Sequence, residues 1–258
     1  MPARRETGRA PLSVTAPAGA RLRLLDTFTL EASGTTVDLP EGQQRLLAYL
    51  AQHGPSARAV VAGTLWPEAT EGHALANLRT GVWRLNRLLP GLLCVDGFRL
   101  GVSPDLWVDS RQQEALATRL LHHEPGDEPW AGDEVSTLWQ REFLPGWYDD
   151  WIIFERERLG QMRLHALEHA ARLLILRRDL NAALRFALEA VRTEPLRETA
   201  TVVLVSVYLA EGNVADAVHQ RDVFTEHLWR ELGVEPSPRL ASLVPWPRRS
   251  SPTSVMPT

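Results

Sequence analysis

The stretch that most constrains the fold of this chain runs from Thr70 to Pro90 and has the period of one long amphipathic helix. At about 100° per residue, its large apolar side chains fall on a single face, which is the pattern of a helix packed against a core. The opposite face carries Arg and Asn side chains, and no Asp or Glu occurs between His73 and Leu89. Solvated helices commonly mix both signs of charge, so a purely cationic face indicates an anionic partner. The predicted core residues of this helix are Leu75, Leu78, Val82, Leu85 and Leu89.

The cationic face predicts a helix that enters the major groove of double-stranded DNA. Arg84 and Arg87 can pair with guanine or with a phosphate, and Asn77 can pair with adenine or with a phosphate. Thr80 can contact a thymine methyl group, while Arg79 is better placed for contacts with the DNA backbone. The alternative is an ordinary solvated face. The candidate DNA-binding residues, including a tryptophan on the flank and an arginine of a following hairpin, are Asn77, Arg79, Thr80, Trp83, Arg84, Arg87 and Arg99.

Two short strands are predicted before the first helix of the chain. Between Arg21 and Leu30, apolar residues of one parity indicate a half-buried strand. A second strand, from Thr35 to Leu39, follows Ser33-Gly34, which is a typical turn sequence. The chain is therefore expected to begin its fold with a small β part.

Two helices precede the Thr70–Pro90 helix, and a hairpin follows it. The first predicted helix runs from Glu41 to His53, and the second from Ala57 to Trp66 with Ser56 as its N-cap. Asp96-Gly97 lies between two apolar stretches and predicts a β-hairpin with a two-residue turn. Strands, three helices and a hairpin in this order predict a winged helix-turn-helix, with the hairpin beside the recognition helix.

Beyond the hairpin the pattern changes to successive amphipathic helices, interrupted by an acidic loop at residues 123–135. Displacing the chain by 34 residues lays Leu180 on Val214 and Ala183 on Ala217, which is the period of a tetratricopeptide repeat. Such helix pairs bury their faces against neighbours and leave a surface that binds protein segments. The predicted helices span residues 109–122, 150–176, 180–191, 196–210 and 214–232.

The sequence predicts a mainly α fold with a small β part, in which an N-terminal winged helix-turn-helix precedes an all-α tetratricopeptide-like domain. The expected parts are a disordered tail at 1–20, the winged helix at 21–105, the helical domain at 106–244 and a disordered tail at 245–258. No apolar run is long enough to cross a membrane and the first residues lack the apolar centre of a secretory signal, so a cytoplasmic protein is expected. The net charge of −4 does not favour nucleic acid, so the DNA prediction rests on the one helix.

One short motif could indicate an enzyme. His165, Glu168 and His169 spell H-x-x-E-H on a predicted helix, which is the zinc signature of inverted-motif metalloproteases. Two His side chains four residues apart can share a metal ion. The helix belongs to the repeat region, however, and the surrounding sequence does not resemble such a protease. We therefore expect a protein that is not an enzyme, with no catalytic residue, metal site or cofactor.

Several short phrases carry a resemblance to a known family. They include Leu65-Trp66-Pro67, Asn77-Leu78-Arg79, Trp83-Arg84-Leu85, Glu142-Phe143-Leu144-Pro145-Gly146 and Glu194-Pro195-Leu196-Arg197-Glu198. With these phrases in order, the span from about Arg21 to Leu243 resembles the SARP-type family of bacterial transcriptional regulators. Members of that family join an OmpR-type winged helix to a helical bacterial transcriptional activator domain.

The resemblance implies a sequence-specific DNA-binding activator. Its expected partners are double-stranded DNA with repeated sites near a promoter, a second copy of the chain as a dimer on that DNA, and RNA polymerase holoenzyme. Asn86 and Leu88 stand where many members have Arg, which weakens the expected phosphate contacts. No Gly-rich phosphate-binding loop with its Lys occurs, so we expect a short member without the ATPase module of larger relatives. The alternative is a tetratricopeptide-like protein-interaction adaptor whose winged helix no longer binds DNA.

Overall fold

The computed structural model describes residues 19–96, 98–127 and 141–244 of the chain. The predicted tail at 245–258, nearly all of the predicted tail at 1–20, Gly97 of the predicted turn and most of the acidic loop at 123–135 lie outside the described residues. The described residues form two compact units. One unit takes the residues up to Gln112 together with Glu142–Arg156, and the other takes the rest.

The first unit is a winged helix-turn-helix with two small sheets. Strands β3, β2, β1 and β7 form a four-stranded sheet in that order, with β1 antiparallel to β2 and parallel to β7. Strands β4, β6 and β5 form the second sheet in that order, and β5 and β6 are its hairpin. The elements are β1 Arg21–Arg23, β2 Thr29–Ala32, β3 Thr35–Val37, α1 Glu41–His53, β4 Ser56–Ala57, α2 Arg58–Leu65, α3 Glu71–Leu88, β5 Leu93–Asp96, β6 Arg99–Val102 and β7 Trp107–Val108.

The single strand predicted from Arg21 to Leu30 is wrong, because two antiparallel strands occupy this stretch. Leu22 of β1 lies opposite Leu30 of β2, and Asp26 turns the chain between them with φ of 68°. The two leucines share a parity because they face the same core from neighbouring strands. No Gly or Pro marks the turn, so the period alone did not reveal it. The turn predicted at Ser33-Gly34 is confirmed, since both residues have positive φ and β3 follows.

The N-cap predicted for the second helix is also wrong. Helix α2 begins at Arg58 with Ala57 as its N-cap, and Ser56 lies in β4, opposite Leu100 of β6. The Ser56 hydroxyl donates a hydrogen bond to the carbonyl oxygen of Gly54 at 3.1 Å instead of accepting one from the helix. A serine before an apolar stretch is a local signal, and the pairing with a distant strand overrides it.

Beyond β7, every named element of the described residues is a helix, and the predicted fold class is confirmed. Asp179 and Asn213, which are 34 residues apart, cap the N-termini of α6 and α8 in the same way, accepting from the main-chain N–H groups of Ala182 and Asp216. No helix in the described part of the chain combines the length and hydropathy that crossing a membrane requires. The helices are α4 Asp109–Leu121, α5 Asp150–Leu176, α6 Leu180–Thr193, α7 Glu198–Glu211, α8 Val214–Leu232 and α9 Pro238–Leu243.

The start of α5 completes the core of the winged unit. Trp151 is 8% exposed and meets the ring of Tyr49 of α1 edge to face, with 5.3 Å between ring centroids. Arg45 of α1 forms an ion pair with Asp149, just before α5. Because residues from Glu142–Arg156 fill this core, we propose that the winged helix needs them in addition to the predicted 21–105.

We predict that Trp151→Ala destabilises the winged unit. The change leaves a cavity beside Tyr49 and Phe143, whose rings contact the indole, and such truncations cost about 3–5 kcal/mol. Urea unfolding followed by circular dichroism measures the loss. Phe154→Ala is the matched control, since this neighbour on α5 is 76% exposed and its truncation should change the free energy of unfolding by less than about 0.5 kcal/mol. An equal loss of free energy of unfolding in the two variants would contradict the assignment of Trp151 to the core of the winged unit.

Candidate nucleic-acid interface

Helix α3 packs on the winged unit through a face of small and large apolar residues. Ala74, Leu78, Gly81 and Leu85 are buried, whereas Leu75, Val82 and Leu89 of the predicted stripe are half-buried. The buried face is therefore turned by about 50° around the helix axis from the predicted one, at about 100° per residue. A pattern of large apolar residues missed it because an alanine and a glycine lie where α3 comes closest to its neighbours.

Gly81 allows α3 to approach α1 closely. A Cβ atom built on Gly81 would lie 3.0 Å from Cδ2 of Leu46, so alanine would require the Leu46 side chain to move by a few tenths of an ångström. A glycine inside a helix costs about 1 kcal/mol relative to alanine. The close contact accounts for a residue that helix propensity alone disfavours. Gly81 lies on the buried side of α3, and the opposite side remains outside.

The six candidate side chains of α3 are exposed on the opposite side. None of the ion pairs in the described part of the chain involves Arg79, Arg84 or Arg87. The Thr80 hydroxyl donates to the carbonyl oxygen of Ala76 in its own helix, at 3.1 Å. This face of α3 thus carries positive charge, and no carboxylate of the described residues pairs with its arginines. The exposed candidates are Asn77, Arg79, Thr80, Trp83, Arg84 and Arg87.

Trp83 and Arg87 contact each other on this face. The Arg87 Cζ atom lies over the Trp83 ring, 5.3 Å from its centroid, which is a cation–π contact one helical turn apart. Trp83 is 58% exposed. The sequence predicted both residues as separate DNA contacts and did not predict that they pair.

The β5–β6 hairpin contributes Arg99, the remaining candidate. Asp96 ends β5 and lies opposite Arg99, so Asp96 belongs to a strand, while Gly97 of the predicted turn lies outside the described residues. Arg99 is exposed, and β5 contacts α3, which places the hairpin beside that helix. Phe98 at the tip is 73% exposed. Phe98 was not among the predicted contacts, although an apolar residue next to a turn glycine was a visible signal.

An open groove of about 350 Å³ runs beside the C-terminal half of α3. Pro40 and Gln43, at the start of α1, line it together with Trp83, Arg87 and Leu88. The groove was not predicted from the sequence because it forms only where the start of α1 meets the end of α3. It adjoins the cationic face and shares three of its residues, Trp83, Arg84 and Arg87.

Residues of the H-x-x-E-H motif form hydrogen bonds with other protein groups. Glu168 is 2% exposed and accepts hydrogen bonds from Arg197 Nε at 2.6 Å, Thr199 Oγ1 at 2.7 Å and Arg172 Nη2 at 3.0 Å. His169 Nε2 lies 2.9 Å from the carbonyl oxygen of His123, to which it can donate. Among the described residues, no three Asp, Glu, His or Cys side chains are grouped as a metal site would need. Glu168 therefore ties α5 to the start of α7.

The ionisation of Glu168 is linked to stability. Burial alone would raise the pKa of the Glu168 carboxyl, but hydrogen bonds from Thr199, Arg197 and Arg172 and the charge of Arg197 outweigh burial and hold that pKa below its usual value. A carboxyl with a lowered pKa in the folded state stabilises the fold above its unfolded pKa. That contribution is lost as the pH falls through the folded pKa.

We predict that Glu168→Gln lowers the free energy of unfolding by about 3 kcal/mol at neutral pH, because it leaves Arg197 without its buried carboxylate. The difference from wild type should shrink as the pH falls below about 4.5, the ordinary pKa of this carboxyl. Urea unfolding over a series of pH values measures both effects. Glu157→Gln, at an exposed position of the same helix, is the control and should have little effect at any pH. A difference that is independent of pH would contradict this role.

Comparison with known proteins relates both halves of the chain to bacterial regulators. Residues 106–244, more than half of the chain, match the bacterial transcriptional activator domain family. The regulatory protein AfsR of Streptomyces coelicolor is 30% identical over 227 residues, which cover 81% of this chain and 22% of AfsR. The chain thus spans about a fifth of the length of that relative.

A solved structure shares the fold. EmbR of Mycobacterium tuberculosis, determined in complex with a low-affinity phosphopeptide, superimposes with a TM-score of 0.66 at 18% sequence identity. The match covers 87% of this chain and 64% of the EmbR chain. With the winged helix, the all-α half and the matched activator domain together, the chain belongs to the SARP-type family of bacterial transcriptional regulators.

Proposed function

We propose that this chain binds double-stranded promoter DNA through α3 and the β5–β6 hairpin and activates transcription from there. The observation that carries the proposal is the exposed face of α3, which holds three arginines and, from His73 to Leu89, no carboxylate. An anionic groove stabilises such a face, whereas an isolated solvated helix gains nothing from collecting charge of one sign. A winged helix presents that face at the position where this fold contacts DNA.

The proposed contacts follow from the chemistry of each side chain. Arg84 and Arg87 pair with guanine edges or with phosphates, and Asn77 pairs with adenine or a phosphate. Thr80 offers a methyl group to thymine, and Arg79 contacts the backbone of the same groove. Arg99 reaches the backbone from the hairpin, beside α3. Together these contacts form one continuous surface on the winged unit.

The number of cations supports binding in pairs. Arg79, Arg84, Arg87 and Arg99 are the arginines of this surface, and each phosphate contact adds about 0.9 to the slope of log K against log salt. Four contacts give modest affinity at physiological salt, so we propose that two copies bind repeated sites near a promoter. A DNA-binding protein of this kind acts in the cytoplasm.

The helical half supplies a surface for a protein partner, and we propose that this partner is RNA polymerase holoenzyme. Stacked helix pairs leave faces that bind protein segments. On α8, Trp229 is 62% exposed and Leu232 is 59% exposed, three residues apart on one side of the helix. These exposed apolar side chains also favour the second candidate function, an adaptor that binds proteins without DNA.

We predict that Arg84→Ala combined with Arg87→Ala weakens binding to DNA fragments selected by the wild-type chain about 30-fold or more. The expectation follows because each specific arginine contact is worth about 1–3 kcal/mol, and removing one phosphate-binding arginine lowers the salt slope by about 0.9. Gel-shift titration at two salt concentrations measures both quantities. Unchanged affinity and slope would remove α3 as the DNA-binding helix and favour the adaptor.

The matched control removes two exposed arginines from the helical half. Arg185→Ala combined with Arg239→Ala changes the net charge by the same amount, at positions outside the winged unit. This variant should bind DNA within about twofold of wild type, since its two arginines are outside the unit that carries the proposed contacts. A loss equal to that of the α3 variant would mean that net charge, and not the α3 face, controls binding.

A further inference from the structure

Trp83 is the one large aromatic side chain on the exposed side of α3. Trp83 is 58% exposed as a residue and is therefore not part of the core that α3 forms with α1. The Arg87 guanidinium carbon lies 5.3 Å from the centre of this ring. Among the described residues, Arg79 and Arg84 of the same face have no such ring contact and no ion pair. Of the three arginines on this face, Arg87 is therefore the one that contacts the Trp83 ring within the described residues.

We propose that Trp83 is a positioning residue, which holds the Arg87 guanidinium in place for a DNA phosphate and makes no base contact of its own. The proposal rests on the proposed function, because it assumes that α3 binds DNA. The sequence pattern predicted both Trp83 and Arg87 as DNA contacts, and the two residues have different roles in this proposal. Arg87 binds the phosphate, and Trp83 restricts where the guanidinium can be before DNA arrives.

The physical basis is the geometry of the guanidinium. Its N–H donors point outward in the plane of the group, so an aromatic ring against its flat face leaves the donors available to phosphate oxygens. An exposed arginine otherwise samples many rotamers, and ordering them on binding reduces affinity. With no carboxylate paired to it within the described residues, Arg87 is held by the ring alone. The ring thus lowers the entropy lost when DNA binds.

Trp83 also borders the open groove beside α3. Trp83 and Arg87 line this groove together with Pro40 and Leu88, so the indole borders a wall that α1 helps to form. Since α1 is part of the packed winged unit, one side of this groove is built from the core. Contacts between an exposed cation and a ring shift an equilibrium by about two- to fivefold, which sets the expected effect.

The test is a double-mutant cycle in the full chain. Trp83→Leu, Arg87→Ala and the combined variant are titrated on one DNA fragment that the wild-type chain selects, at several salt concentrations. We expect Trp83→Leu to weaken binding about two- to fivefold with an unchanged salt slope, because Arg87 still reaches its phosphate. Arg87→Ala should lower the slope by about 0.9, and adding Trp83→Leu to it should cause no further loss. Trp83→Phe should recover part of the affinity.

Two controls separate this role from a structural one. Leu88→Ala removes another apolar side chain from the same groove, at a residue that is 51% exposed. It should leave the salt slope unchanged, and Arg87→Ala should weaken DNA binding as much in this variant as in wild type. Thermal unfolding of Trp83→Leu should match wild type, since the indole is mostly exposed. A lowered melting temperature together with a matching loss for Leu88→Ala would overturn the positioning role.

The remaining outcomes are distinct from one another. If Trp83→Leu weakens binding as much in the Arg87→Ala background as in wild type, the ring contacts DNA itself and the proposal is wrong. If Trp83→Leu has no effect while Arg87→Ala lowers the slope, Arg87 binds a phosphate without help from the ring, which also overturns the proposal. If Arg84→Ala with Arg87→Ala leaves affinity unchanged, the proposed function has failed, independently of Trp83.

Discussion

The packing of α3 in the winged unit, with its close approach to α1 at Gly81 and Leu46, decides which side of α3 is exposed. A Cβ atom at Gly81 would lie 3.0 Å from the Leu46 side chain, so this side of α3 faces α1 at close range. This packing buries Leu78 and Leu85 and leaves the arginines outside. Packing in a protein interior is dense, and a turn of the helix would require every contact along it to change. The position of the cations is therefore a consequence of the core.

Arginines serve two physical purposes in this chain. In the helical half, Arg197 is 18% exposed at its side chain and binds the buried Glu168, and Arg221, which is 1% exposed, donates to the carbonyl oxygen of Val244. Those groups hold segments together because a buried charge needs a partner. The arginines of α3 are exposed, and no carboxylate of the described residues pairs with them. The proposed DNA contact rests on these exposed arginines, of which Arg87 lies against the Trp83 ring.

Local sequence patterns predicted the bounds of the helices well and the pairing of the strands poorly. Helices α1 and α3 begin and end within about two residues of their predicted bounds, because a hydrophobic period and flanking Pro and Gly residues mark them. The stretch at Arg21–Leu30 and the Ser56 cap were misassigned, because the first hides two paired strands and Ser56 pairs with Leu100 of a distant strand. Strand pairing is non-local, and a period of two does not state the partner.

By itself, the amino-acid order determined that one helix would carry leucines on one side and arginines on the other, because residue type and spacing alone define an amphipathic face. It also determined the family resemblance through short phrases in both halves. Only the tertiary structure decided that Glu142–Arg156 complete the core of the winged unit, and that Arg87 lies against Trp83. Contacts of this kind depend on distances between side chains, which a linear pattern does not contain until the backbone has folded.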